Sequence, residues 1–338
     1  MFVARRAVAG RWFCAHDSCT IDDVTIAPLR ITILSITFLS MPRIIARCCC
    51  VIAALVSLAQ APTRLVARVV IVSVDGLRPD LLSRSRTPVI QDLLQHGSYT
   101  LWARTIDEGY TVPSHVSMLT GVVPSRHGVT WNHHVEQAYP QVPTLFELAR
   151  RAGFATALAV GKTKLIVLTR PGTVDHTFIG NENHTDALDI AREARRFLEA
   201  VPAPGVLFVH FGDLDGVGHA AGWGSREQLE ALEKVDRALG TIRQTLRDRG
   251  LIKGTVMIVT ADHGGAGIEH PPEDPRSQLV PWIVSGRSVR EGFDLTSVKG
   301  LSVDTMATFA TACALFGIDV PHPIDGKAVL EIVDRAPH

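Results

Sequence analysis

Arg68-Val69-Val70-Ile71-Val72-Ser73-Val74-Asp75-Gly76 is the stretch on which the fold turns. Its β-branched residues form a run instead of alternating with polar ones. A strand that buries one face alternates, whereas a run of this kind is a strand buried on both faces, as inside a parallel sheet. The run ends on an acid and a glycine, where such a strand gives way to a turn. The same signature predicts strands over 154–160, 206–211, 255–260 and 280–284. Helical patterns fall between them, over 87–95, 144–151, 185–200, 225–249 and 304–316. In the longest, Leu229, Leu232, Val235, Leu239, Ile242 and Leu246 recur at spacings of three and four. Ser225 with Gln228 spells a capping box there, and Gly250 a stop. Strands alternating with helices predict an α/β domain with a mostly parallel central sheet and helices on both faces.

Composition narrows the function classes. The 338 residues are 46% hydrophobic and 20% charged, enough for a substantial core and unlike a disordered chain. Lys+Arg and Asp+Glu both count 34, so there is no polybasic footprint and no nucleic-acid partner is expected.

The first sixty residues read as separate from this domain. From Met41, Arg43 and Arg47 precede an apolar stretch over 48–58, and Ala59-Gln60-Ala61 follows, the layout of a secretory signal. The apolar stretch is shorter than the ~20 residues a membrane span needs, so no stable span is expected. The expected organisation is a non-structured or mis-called extension over 1–40, a signal peptide over 41–61 and a single catalytic domain over 62–338. A longer uncleaved anchor over 31–59 is the competing reading. Cys14, Cys19, Cys48, Cys49 and Cys50 lie in this leader and only Cys313 beyond it, so neither an internal disulfide nor a thiolate metal site is available to the domain. A periplasmic or extracellular location follows as an expectation.

The chemistry gathers where strands end. Ligands of open α/β sheets bind beyond the carboxyl ends of the strands. The first strand ends in Asp75. The third is followed by Asp213, Asp215 and His219, and the fourth by Asp262-His263-Gly264-Gly265 with His270 seven residues on. Each acid alone reads as a turn or helix cap and each histidine as an ordinary surface or core residue. Together they would repel one another unless cations neutralise them, and His/Asp ligands without thiolates suit zinc, with manganese the other candidate. In Thr111-Val112-Pro113-Ser114-His115, Pro113 fits the first turn of a helix and puts Thr111 at its start. There Thr111 is either a simple cap or a nucleophile close to bound phosphate.

These pieces resemble the alkaline phosphatase superfamily, in particular its type I phosphodiesterase/nucleotide pyrophosphatase branch. The matching stretches are residues 74–80, 111–115, 119–129, 215–219 and 260–265, with His270. The resemblance implies an alkaline-phosphatase-like sandwich with a metal site at the strand ends. It implies two divalent metal ions, one held by Asp75, Thr111, Asp262 and His263 and the other by Asp215, His219 and His270. Thr111 would be the nucleophile, forming a phospho-threonine intermediate, and Asn132 would hold a phosphoryl oxygen. A small-molecule phosphate ester is the implied substrate.

Neighbouring branches are separable by residue. Sulfatases need Cys or Ser where Thr111 stands, and His115 replaces the arginine of their motif, so a sulfatase is rejected. Phosphatases of the alkaline type carry a Ser nucleophile and usually an Arg on the phosphate, so Thr111 and Asn132 favour the diesterase branch, with phosphomonoester hydrolysis the rival reading. A phosphonoacetate-hydrolase-like activity is another, because Lys162-Thr163-Lys164 follows the second strand where that branch holds a substrate carboxylate. On that reading Lys162 binds substrate; a solvated loop pair is the plainer alternative. A secreted metal-binding protein without catalysis is the reading from another class. Tyr110, Trp131, Trp223 and Phe178 are the candidate aromatic walls for the rest of a substrate.

Overall fold

The computed structural model describes residues 65–181, 185–201 and 204–334, together with four short strands between residues 12 and 30. Contacts divide the chain into two units, Met1–Ala61 and Pro62–His338. In the first, Trp12–Ala15 pairs antiparallel with Ser18–Ile21, and Thr25–Ile26 with Leu29–Arg30. The expected signal segment over 41–61 lies outside the described residues. Among the described residues no helix is long and apolar enough to cross a membrane.

The second unit is built on eight strands: β1 (Arg68–Val74), β2 (Gly97–Arg104), β3 (Ala155–Val160), β4 (His176–Ile179), β5 (Gly205–Phe211), β6 (Thr255–Thr260), β7 (Leu279–Gly286) and β8 (Phe293–Asp294). They form one sheet in the order β8-β2-β7-β6-β1-β5-β3-β4. β1 is central, parallel to β6 on one side and β5 on the other, with Val70 facing Met257 and Leu207. All seven of its residues are buried, which is what its unbroken β-branched run requires.

The expected strand at 280–284 is β7, and it runs antiparallel to β6. β2, antiparallel to β7, escapes the sequence reading because Gly97 looks like a helix stop. Gly97 instead opens a strand that lies close against β7: a Cβ there would fall 2.3 Å from the Val284 carbonyl oxygen. The short edge strands β4 and β8 carry too few residues to show a period.

Helices cover both faces. α1 (Leu81–Arg84), α2 (Pro88–Gln95), α6 (Ala187–Ala200), α7 (Asp213–Ala221) and α8 (Arg226–Asp248) form one packed group. α3 (Thr111–Thr120), α4 (Pro124–His127), α5 (Leu145–Arg151) and α10 (Ala307–Phe316) form another; α9 (Pro275–Gln278) leads into β7. At α8, Ser225 Oγ accepts the Gln228 N–H at 3.2 Å. The Gln228 side chain does not close the expected box; it accepts from Gly224 N at 2.7 Å and donates to Leu214 O at 3.0 Å. The complete capping box is at Thr144 and Glu147 of α5.

The start of α2 is capped from another helix. Thr87 makes no side-chain cap, and the buried Asp236 carboxylate of α8 accepts from Ile90 N at 2.8 Å and Val89 N at 3.1 Å. Asp236→Ala removes both acceptors inside the protein and is expected to cost about 2 kcal/mol of stability. Denaturant unfolding checks this; a loss below about 0.5 kcal/mol would mean that water replaces the carboxylate.

Candidate active site

β6, β1 and β5 lie side by side and parallel, so their carboxyl ends open at one place on the sheet edge. β1 delivers Asp75 there, and β6 delivers Asp262 and His263; all three are fully buried. β5 runs through Gly212 into α7, whose pitch places Asp215 and His219 on one face, four residues apart, with His219 Nε2 3.3 Å from Asp215 Oδ1. His263 Nε2 stands at the centre, 3.3 Å from Asp75 Oδ1, 3.4 Å from Asp262 Oδ2 and 3.8 Å from Asp215 Oδ1. His270 stacks on His263 at 4.1 Å between ring centroids and meets His219 edge-on at 5.2 Å. Of the sequence-predicted ligands, Asp75, Asp215, His219, Asp262, His263 and His270 therefore meet in one cluster.

Asp213 does not join them. Its Oδ1 pairs with Lys234 Nζ at 2.6 Å and accepts from Ala187 N at 3.4 Å. The two acids of Asp213-Leu214-Asp215 point in different directions because they are two residues apart on a helix.

The cluster has the donor chemistry of a divalent-cation centre. Asp75 Oδ1, Asp215 Oδ1, Asp262 Oδ2, His263 Nε2 and His270 Nδ1 are buried with no hydrogen-bond partner among the described residues. Donor atoms of Asp75, Asp262 and His263 lie within 4.8 Å of one another, and so do those of Asp215, His263 and His270. The histidines are oriented as ligands usually are: His263 Nδ1 donates to Gly264 O at 2.8 Å and His219 Nδ1 to Ile268 O at 2.8 Å, turning both Nε2 atoms inward. Burial opposes a charge on His263, yet Asp262, Asp75 and Asp215 raise its pKa. Burial and the neighbouring His263 push His270 down to about 4, keeping it a neutral imidazole at physiological pH. These residues fit a group of divalent cations, with His263 common to both triads.

Thr111 is the first residue of α3, and Tyr110 before it is the cap residue. Thr111 is thus not the cap that its position before Pro113 left open. Asn132 Oδ1 accepts from Val112 N at 3.1 Å and from Lys164 Nζ at 3.0 Å, tying the 128–132 loop to the start of α3. The first turn has few free donors: Asn132 takes the Val112 N–H, Tyr110 O takes that of Ser114, and Pro113 has none. α3 can therefore favour an anion by its dipole more than by a ring of N–H groups.

A scan of family models matches residues 69–277 to "Type I phosphodiesterase / nucleotide pyrophosphatase". The chain belongs to this family. Over 213 residues it is 30% identical to ectonucleotide pyrophosphatase/phosphodiesterase family member 1 of Mus musculus, covering 57% of this chain and 23% of the relative. The chain thus matches about a quarter of that relative's length. Among solved structures it resembles murine ectonucleotide pyrophosphatase/phosphodiesterase 5 (TM-score 0.66, 15% identity), over 78% of this chain and 99% of that one. A putative sulfatase from Bacteroides thetaiotaomicron shares the fold at TM-score 0.64 and 15% identity, over 79% and 74% of the two chains. The alkaline-phosphatase-like fold expected from the motifs is therefore the fold of the phosphodiesterase domain.

Beneath the cluster of this family domain lies a polar layer that the sequence reading missed. His210 of β5 accepts the Gly161 N–H on Nδ1 at 3.2 Å and donates from Nε2 to Asp75 Oδ2 at 2.9 Å. His115 of α3 donates from Nδ1 to Thr111 O at 2.6 Å and accepts from Ser73 Oγ at 2.8 Å. Burial pushes His115 down to about 4. Thr105 and Ser114 hydroxyls both hold the Asp262 carbonyl. Each is a polar residue inside an apolar buried stretch or beside one, and that mismatch was the available signal.

Lys162 also belongs to this centre. It is buried, with Nζ 2.6 Å from Asp75 Oδ2 and 2.5 Å from Asp215 Oδ2. It is neither a solvated loop charge nor turned outward. Burial alone would lower its pKa, but Asp75 and Asp215 overcome that and raise it. Of the aromatic candidates, Trp223 is buried with Nε1 donating to Gly76 O at 2.9 Å, and Trp131 and Phe178 pack on the core. Tyr110 is 41% exposed and its ring lies 5.8 Å from His270. His127 holds Ser117 Oγ at 3.0 Å and the Val129 N–H at 3.1 Å, fixing the loop that carries Asn132.

Proposed function

We propose that the domain is a two-metal phosphodiesterase that hydrolyses small-molecule phosphate diesters through Thr111. The reading is carried by the convergence of five buried donor atoms without hydrogen-bond partners among the described residues. The start of α3 is linked to them through His115, whose Nδ1 lies 2.6 Å from Thr111 O and 3.5 Å from Asp262 Oδ2. Asp75, Asp262, His263 and Thr111 would hold one cation, and Asp215, His219 and His270 the other, zinc being the best match to this donor set and manganese the next. Two such ions would acidify the attacking hydroxyl and neutralise charge on the phosphoryl and departing oxygens. Thr111 Oγ1 bonds to phosphorus as the P–O bond to the leaving alcohol breaks, and the departing oxygen takes up a proton. Water then cleaves the Thr111 phosphoester, releasing a phosphomonoester and restoring the hydroxyl. Asn132, held against α3 and Lys164, positions a phosphoryl oxygen, and the cationic Lys164 favours an anion there. The signal-like layout of the sequence over 41–61 suits a secreted or periplasmic enzyme.

Turnover of bis-p-nitrophenyl phosphate and p-nitrophenyl phosphate by the zinc-loaded protein tests this reading. The diester is expected to be hydrolysed at least about tenfold faster, the Thr111→Ala protein serving as blank. A monoester preference would make the domain a phosphatase, and silence on both substrates would overturn hydrolysis. Phosphonoacetate hydrolysis is disfavoured by Lys162, whose ammonium faces Asp75 and Asp215.

A further inference from the structure

Three acids, Asp75, Asp215 and Asp262, share the buried centre, and one side-chain ammonium, that of Lys162, is bound directly between two of them. We propose that Lys162 is a permanent counter-ion of this centre, selecting which oxygen of Asp75 and of Asp215 is left for a metal and tempering how tightly a divalent ion is held. The inference rests on the metal-centre reading above and assigns Lys162 a positioning role in place of substrate binding.

The oxygens divide cleanly. Asp75 Oδ2 accepts from Lys162 Nζ at 2.6 Å and from His210 Nε2 at 2.9 Å, while Asp75 Oδ1 has no hydrogen-bond partner among the described residues and faces His263. Asp215 Oδ2 accepts from Lys162 Nζ at 2.5 Å, while Asp215 Oδ1 has no hydrogen-bond partner among the described residues and faces His219 and His263. The same ammonium thus turns one oxygen of each carboxylate inward, and the two carboxylates belong to different triads of candidate ligands. The backbone holds it there: Lys162 follows β3 and Gly161, whose N–H is bonded to His210, the other donor on Asp75. Two of the three N–H groups of the ammonium are committed to these carboxylates, which leaves one for any further partner. While it stays, its positive charge lies next to ligands of both ions and weakens their hold on a divalent cation by Coulomb repulsion.

Removing the charge should therefore move two quantities in opposite directions. In the full-length Lys162→Met protein, stripped with EDTA, the melting temperature is expected to fall by about 5 °C or more, because two buried carboxylates lose their cation. Zinc affinity, measured by calorimetry on the same stripped protein, is expected to rise by about tenfold or more. Lys162→Arg keeps the charge and should restore the melting temperature towards wild type. A lysine that only props up the fold would lower both quantities, and one that holds substrate would leave both unchanged and raise KM; either result overturns the proposal. If Lys162→Met does not fold, reductive methylation of the stripped wild-type protein decides. Lys162 should resist the reagent, and modification at the rate of the exposed Lys253 would overturn the proposal. Wild-type protein that binds no divalent ion would bring down the metal centre itself, whereas tight wild-type binding unchanged by Lys162→Met would bring down only the role of Lys162.

Discussion

Thr111→Ala is expected to lower turnover of a phosphate diester by about 10⁴-fold or more, the scale on which loss of a covalent nucleophile is felt. The fold should survive. Thr111 is the first residue of α3, yet Tyr110 holds the cap position and the Val112 and Ser114 N–H groups are bonded to Asn132 Oδ1 and Tyr110 O. Alanine keeps the helix and removes one hydroxyl and one methyl, so stability is expected to stay within about 1 kcal/mol. Bound metal should fall little, because Asp75, Asp262 and His263 still converge without Thr111. Rates, melting temperature and metal content measured on one preparation check this. Near wild-type rates in Thr111→Ala would disprove attack by Thr111.

Asp215→Ala and Asp213→Ala should part company although the residues are two apart. Asp215 faces His219, His263 and Lys162, so its loss would remove a proposed metal ligand and leave the Lys162 ammonium with one carboxylate. Its metal content is expected to drop by about one ion per chain, and turnover by about 10³-fold or more. Asp213 faces Lys234 and the Ala187 N–H, away from the cluster. Its loss should cost stability while metal content stays at the wild-type level. Metal analysis of the two proteins side by side is the check; equal metal loss in both would mean that the direction of α7 is misread.

The central strands and most of the cluster were legible in the chain because parallel strands buried on both faces have a simple signature. They are apolar runs, and the chemistry comes immediately after them. Asp75 and Asp262-His263 could be found that way because each ends a run. Asp215 and His219 followed from their place just after the strand over 206–211, and Thr111 from Pro113 in the first turn. His210, His115 and Ser73 were harder to see, since a polar residue within an apolar run gains its meaning only from the partner it meets across the sheet or helix layer.

What the sequence by itself determined was therefore local: where the central strands and the longer helices lie, which side chains stand at their ends, and the family they resemble. The tertiary structure decided everything that depends on which elements are neighbours. It made β7 antiparallel, inserted β2 between β7 and β8, and gave α2 a cap from Asp236 on α8. It turned Asp213 to Lys234 and Lys162 to Asp75 and Asp215. The physical reason is range. Backbone propensity and burial period act over a few residues of chain, whereas a buried charge is satisfied by whichever partner lies within about 3 Å, however far away it is in sequence.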